Sequence, residues 1–286
     1  MIMTETKAGN IRIVTVSYRQ DEEKSWPMRI YIPDKQGPFP ALLDVHGGAW
    51  NSGGCGDNEK IDLALAEGGI TVFAIECRKA PVHTYPAQVI DVNYATRWIK
   101  AHANDYNILS DNIGGLATSS GGHALFLSGM RPDDERYRAI DLAGGNSLDA
   151  KLSYLIGAWP VLDPYGRYLF AQENNLDFLV KATESYFLDE ETMKKENPLL
   201  AIERGEQFSL PPVLIIQGTA DLNIPLSSVS RFVEVYRSAG GLVDLELFEN
   251  EPHGFACKPG TESDRAIERI KTFVIAQAAE NSSNVR

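Results

Sequence analysis

Short, nearly unbroken apolar runs recur along the chain at 41–45, 70–75, 113–117, 154–159, 213–216 and 243–248. A half-exposed strand alternates apolar and polar residues, whereas a parallel strand covered on both faces reads as a continuous run. Between the runs, apolar residues return at helical spacing over 59–66, 87–101, 122–128, 227–238 and 265–278. Strand and helix in alternation predict an α/β fold: a mostly parallel central sheet with helices on both faces. Two alternating stretches, 11–18 and 28–32, come first and predict an antiparallel, half-exposed pair at the start of the sheet. One α/β domain accommodates all 286 residues, so 1–286 is read as a single domain.

The alternation is interrupted once. Residues 163–210 contain no strand-like run but do contain helical fragments at 176–183 and 190–197. A stretch this long between two sheet strands is seldom bare loop. It is read as a helical cap inserted over the carboxyl ends of the strands.

Five segments stand at the ends of these elements. His46-Gly47-Gly48-Ala49-Trp50 follows the first run, and Tyr85-Pro86-Ala87 opens the helix at 87–101. Ala117-Thr118-Ser119-Ser120-Gly121-Gly122 joins the third run to the next helix, while Gly218-Thr219-Ala220-Asp221 and Pro252-His253-Gly254-Phe255 follow the last two runs. Ser119 fits a nucleophile on a sharp strand-to-helix turn, where the residues two positions away must be small. Those positions hold Ala117 and Gly121. Taken alone, Ser119 could equally be a helix N-cap, which serine favours.

A general base near neutral pH is most often histidine, and the chain has five. His46 reads as a brace for the Gly-Gly loop, and His83 sits in a Pro-flanked loop. His102 ends a helix, and His123 lies inside the helix after Ser119. His253, on a Pro-Gly-shaped turn after the last run, is the candidate base. Asp221 is the candidate acid that would orient it, in the chain order Ser, Asp, His. Asp163 is the competing acid, although Asp-Pro at that point also suits the start of a helix. Backbone amides of Gly47, Gly48, Ala49 and Ser120 are the candidate oxyanion hole. Without the other segments, a Gly-Gly pair would read as an ordinary turn. The glycine-rich stretch 51–56 lacks the lysine and spacing of a phosphate-binding loop.

Taken together, these segments resemble an α/β-hydrolase of the esterase/lipase family. The similarity is to the branch with an HGG-type oxyanion loop, the hormone-sensitive-lipase-like and small acetyl- and feruloyl-esterase-like carboxylesterases. It runs from about Met28 to the last helix. Two departures stand out: Ala117 where the G-x-S-x-G pattern has glycine, and Ala49 where a third glycine is common. The resemblance implies the α/β-hydrolase fold and ester cleavage through an acyl-enzyme on Ser119, with no cofactor and no metal. It leaves the substrate open. Trp50, Tyr85, Trp159 and the cap aromatics Tyr165, Tyr168 and Phe170 are the candidate substrate-binding walls, though aromatics in such a stretch more often form core. The short cap favours small or medium esters.

Two other readings compete with a carboxylesterase. The same site could cleave an amide, formamide, lactone or carbamate, or the fold could be a non-catalytic ligand-binding protein. The latter is expected to have lost one of the three residues, and all three are present.

Charge bears on partners. With 27 Lys and Arg against 39 Asp and Glu, the formal net charge of −12 disfavours nucleic acid and anionic membrane surfaces. The expected partner is a small-molecule ester; the oligomeric state stays open, a homodimer included. Three cysteines cannot all pair within one chain, and Cys77, in an apolar run, reads as a core thiol. Residues 1–10 lack the apolar core of a signal peptide, which predicts a cytoplasmic protein.

Overall fold

The continuous runs up to 213–216 form buried strands whose alternate side chains feed two separate cores, whereas the run at 243–248 is a partly exposed edge strand. Leu43, Val45, Phe73, Ile75 and Ile215 pack on one face of the sheet, and Leu42, Val72, Leu116, Ile156 and Leu214 on the other. The period-2 pleat demands this division. Removing one such side chain from water is worth about 1.5–3 kcal/mol, which explains why central strands carry so few polar residues.

The computed structural model describes residues 2–22, 24–144 and 147–284. Its first strands are β1 (Ile2–Ala8), β2 (Ile11–Gln20), β3 (Ser25–Pro33), β4 (Phe39–Val45) and β5 (Thr71–Ile75). They are followed by β6 (Ile108–Thr118), β7 (Leu155–Ala158), β8 (Val213–Gly218) and β9 (Val243–Phe248). The sheet order is β1-β2-β3-β5-β4-β6-β7-β8-β9. Pairing is antiparallel from β1 to β5 and parallel from β5 to β9. The sequence pattern predicts no strand before residue 11. β1 is an edge strand held by its backbone pairing with β2, so its exposed side chains need no apolar pattern.

Helices α1 (Glu59–Glu67), α2 (Ala87–Ala101) and α3 (Ser120–Met130) alternate with the early strands. α4 (Pro164–Glu173), α5 (Asp177–Phe187), α6 (Glu190–Lys195) and α7 (Pro198–Glu203) all lie between β7 and β8, and α8 (Leu226–Ser238) and α9 (Thr261–Asn284) complete the chain. Residues of α2, α3 and α8 join one core, those of α1 and α9 the other. Helices therefore cover both faces. The fragment at 190–197 is α6, which ends at Lys195; Pro198 then starts the further helix α7, and the Asn197 side chain caps it, accepting from the Leu200 amide at 3.0 Å. Among the described residues no helix is long and apolar enough to cross a membrane.

Candidate active site

Ser119 occupies the turn between β6 and α3 with φ 49° and ψ −122°. A non-glycine residue there carries roughly 1–3 kcal/mol of backbone strain, so its surroundings must hold it. The Ser119 amide donates to the Ala158 carbonyl at 3.1 Å, and its own carbonyl accepts from Gly122 at 3.0 Å and Val161 at 2.8 Å. Gly121 is required by close approach: a Cβ there would stand 2.5 Å from the carbonyl oxygens of both Val45 and His46. Ala117 is fully buried, so a methyl group fits where the usual pattern has glycine.

His253 comes from the turn after β9 and points its Nε2 at Ser119 Oγ, 3.0 Å away. Its Nδ1 lies 2.8 Å from Asp221 Oδ2. Asp221 follows β8, and its Oδ1 accepts from the amides of Asn223 at 2.8 Å and Ile224 at 3.0 Å. Gln217 Nε2 donates to the other oxygen at 3.1 Å. Burial pushes this carboxyl up, but the hydrogen bond and charge of His253, with the two amides, outweigh it and leave the group below the ordinary carboxylate range. Asp163 is engaged elsewhere. Its Oδ1 accepts from the Gly166 amide at 2.8 Å, capping α4, and from Asn197 Nδ2 at 2.7 Å.

The other histidines have structural surroundings. His46 is buried, accepts at Nε2 from the Cys77 amide at 3.4 Å, and places Nδ1 2.7 Å from the Gly47 carbonyl. His123 is enclosed by Trp50, Tyr186 and Phe187, and burial pushes its pKa down to about 4, so it stays neutral at pH 7. His102 stacks on Trp98 at 3.9 Å.

The loop after β4 curls over Ser119. Gly48 has φ 105°, and a Cβ on it would meet the Ser52 carbonyl at 2.2 Å. The amides of Asn51 and Ser52 both donate to the Gly48 carbonyl at 3.0 Å, and the Trp50 amide donates to Ser120 Oγ at 3.2 Å. Gly47, Gly48 and Ala49 line the cavity beside Ser119, and Ser120 leads the first turn of α3.

These groups border a cavity of about 310 Å³, lined by Gly47, Gly48, Ala49, Ser119, His253 and Trp159 among others. Sequence reasoning missed several of its walls: Arg167 of α4, Phe178 and Leu179 of α5, and Asp57, Asn58 and Cys257. An arginine or a leucine on a helix carries no sequence signal that tells which way it faces. Behind the cavity, Asn58 Nδ2 donates to both oxygens of buried Asp44 at 2.9 and 3.1 Å, while Thr118 Oγ1 donates to Asn58 Oδ1 at 3.2 Å. Burial, with the charges of Asp44, Asp62 and Asp57, pushes the Cys257 thiol up to about 12, so it is no thiolate nucleophile at neutral pH.

Of the six aromatic wall candidates, Trp159 lines this cavity and the other five are placed elsewhere. Trp50 is fully buried and stacks on Tyr186 with ring centroids 5.2 Å apart. Tyr85 packs in the same cluster, with its hydroxyl 2.8 Å from that of Tyr137. Both large rings gain more from burial under α5 than from facing a cavity. On α4 it is Arg167 and Ala171, one turn apart, that face inward, Ala171 packing with Ala49. That turns Tyr165 toward Lys194 and Glu190, Tyr168 toward Glu184, and Phe170 toward a separate depression beside Pro225 and Arg231.

Comparison with known proteins places the chain in a family. A family model described as BD-FAE matches residues 28–235. Esterase LipC of Mycobacterium tuberculosis is 28% identical over 244 residues, which are 83% of this chain and 58% of that protein. The chain thus spans a little over half the length of that relative. Esterase 2 of Thermogutta terrifontis, in a structure phosphorylated by paraoxon, is similar at a TM-score of 0.75 and 22% identity, over 92% of this chain and 94% of that one. Esterase B of Lactobacillus rhamnosis reaches a TM-score of 0.81 at 18% identity, over 98% of this chain and 91% of that one. The shared sheet and helices carry the fold, and the family match spans most of the sequence: the chain belongs to the BD-FAE family and has the α/β-hydrolase fold.

Proposed function

We propose that this chain is a serine hydrolase that cleaves small or medium carboxylic esters. The observation that carries the reading is the unbroken line from Ser119 Oγ to His253 Nε2 at 3.0 Å and from His253 Nδ1 to Asp221 at 2.8 Å. His253 takes the hydroxyl proton as Ser119 Oγ attacks the acyl carbon. Asp221 holds the tautomer that leaves Nε2 free to accept and stabilises the imidazolium that forms. The carbonyl oxygen, now an anion, collects amides from the Gly47-Gly48-Ala49 loop and from Ser120 at the N-terminus of α3. Protonated His253 then gives its proton to the departing alkoxide, and the alcohol leaves. Water, deprotonated by His253, attacks the acyl-enzyme and releases the acid.

Residues 163–210 act in this reading as a cap that closes one side of the cavity through Arg167, Phe178 and Leu179. The cavity volume of about 310 Å³ lies at the small end of ligand sites, which supports short acyl groups. A fluorophosphonate probe tests the nucleophile. It should label Ser119 and abolish turnover of p-nitrophenyl acetate, while Ser119→Ala should neither label nor turn over. An adduct found by mass spectrometry on another serine overturns the assignment. A panel of p-nitrophenyl acyl esters set against matched anilides separates ester from amide cleavage.

A further inference from the structure

Arg167 is a buried cation on the cavity wall that, among the described residues, no acidic side chain balances. Only 2% of its surface is exposed, and it lines the same cavity as Ser119 and His253. Its Nη2 donates to Thr183 Oγ1 at 2.7 Å, and that hydroxyl donates in turn to the Leu179 carbonyl at 2.7 Å. The guanidinium carbon stands 4.9 Å from the centre of the Trp50 ring. Its Nε is buried without a hydrogen-bond partner. Burial pushes its pKa down to about 10, and no neighbouring carboxylate raises it again. A charge in this position is costly unless something pairs with it. Asp57, the acidic residue on the same cavity, accepts instead from the Gly54 amide at 3.1 Å.

We infer that Arg167 receives a carboxylate carried by the substrate, so that the preferred ester is a short one with a free acid group, such as a dicarboxylic acid monoester. This rests on the serine-hydrolase reading for the bond that breaks. A guanidinium offers a planar fork that matches a carboxylate, and Trp50 with Thr183 already fixes its orientation. Apolar Trp159, Phe178 and Leu179 share the lining and would flank the methylene groups that link the carboxylate to the ester. A neutral ester leaves the cation as it stands; an anionic one neutralises it.

The test compares monomethyl succinate with its neutral isostere, methyl isocaproate, by pH-stat. The parent should favour the charged ester in kcat/KM by roughly 10- to 100-fold, the scale of one charge-assisted hydrogen-bonded pair. Arg167→Met should erase the preference, mainly by slowing the charged ester, and Arg167→Lys should keep part of it. Should Arg167→Met fail to fold, the parent still decides. Succinate should inhibit p-nitrophenyl acetate turnover far more strongly than succinamide, and equal inhibition overturns the inference. A parent that prefers the neutral isostere, or a preference that survives Arg167→Met, does the same. If no ester is hydrolysed and Ser119 is not labelled, the hydrolase reading fails by itself. Calorimetric titration of succinate into parent and Arg167→Lys then reads the carboxylate site: no binding to the parent overturns it.

Discussion

Asp221 and Asp163 both sit at the carboxyl end of a strand, and only their partners separate them. Asp221 spends one oxygen on two backbone amides and turns the other to His253. Asp163 spends Oδ1 on the N-terminus of α4 and on Asn197. Asp221→Asn keeps the shape but presents an amide where the imidazole N–H needs an acceptor. It should therefore lower kcat about 10⁴-fold, the loss that follows the same Asp-to-Asn change in the triad of a serine protease. Asp163→Asn keeps an acceptor oxygen for the α4 cap, where Asp and Asn serve about equally, so it should cost little stability and far less activity than Asp221→Asn. Steady-state kinetics and thermal unfolding on the two variants check this, and the reverse ranking moves the acid to the strand before. At this scale the candidates could be read from the sequence because Ser119, His253 and Asp221 belong to turns with glycine or proline within three residues, and turns leave a local signature in the chain.

Among the elements, α4 and α5 carry the main departure from what the sequence suggested. The fragment at 176–183 made α5 legible, whereas α4 was covered only by the general expectation of helices over 163–210, and for neither was the face that meets the cavity legible. Helical facing depends on what lies beneath. Here Ala171, Leu179 and Ala182 close on Ala49, while Tyr186 stacks on Trp50. Those contacts fix the rotation of both helices and turn Arg167, Phe178 and Leu179 toward Ser119. The expected walls at Tyr165, Tyr168 and Phe170 are rotated away by the same packing. Phe178→Ala and Leu179→Ala should accordingly shift the kcat/KM ratio between bulky and acetyl esters by roughly 10- to 200-fold, the range for an apolar pocket contact. Phe178 is 66% exposed, so its truncation should leave stability nearly intact, and Leu179→Ala should cost more. Tyr165→Ala should leave the acyl-length profile of the parent, measured with the p-nitrophenyl panel. A profile that changes with Tyr165 and not with Phe178 or Leu179 would place the pocket on the other face of α4.

For the whole molecule, the parallel strands were readable because continuous apolar runs have few other uses, whereas β1 was not, since an edge strand is held by backbone pairing alone. The sequence was also silent on a feature of the buried interior. Asp44 and Asp62 both lie under the loop that carries Asn58, inaccessible to solvent. Asp62 has neither oxygen hydrogen-bonded among the described residues, and burial with the charge of Asp44 pushes its pKa well up. Burial, partly offset by the Asn58 hydrogen bonds, pushes Asp44 from an ordinary 3.8 up to about 7. Between those two values the folded protein keeps a proton that the unfolded chain releases. The stability contributed by protonated Asp44 is thus fully present below about pH 4 and lost as pH rises through about 7. His123, pushed down to about 4, works in the opposite direction, because the unfolded chain binds a proton there that the folded protein refuses. Parent stability alone therefore mixes two slopes, and a difference separates them. Asp44→Asn cannot ionise, so its stability relative to the parent should rise between about pH 4 and 7 and then level off. The rise should be at most on the order of 4 kcal/mol. Asp62→Asn should drift the same way. Urea unfolding of parent and both variants at pH 5 and pH 8 measures it. A difference that does not change between the two pH values would mean that Asp44 and Asp62 are already ionised in the folded protein at pH 5, and that the interior beneath Asn58 is far better solvated than its packing indicates.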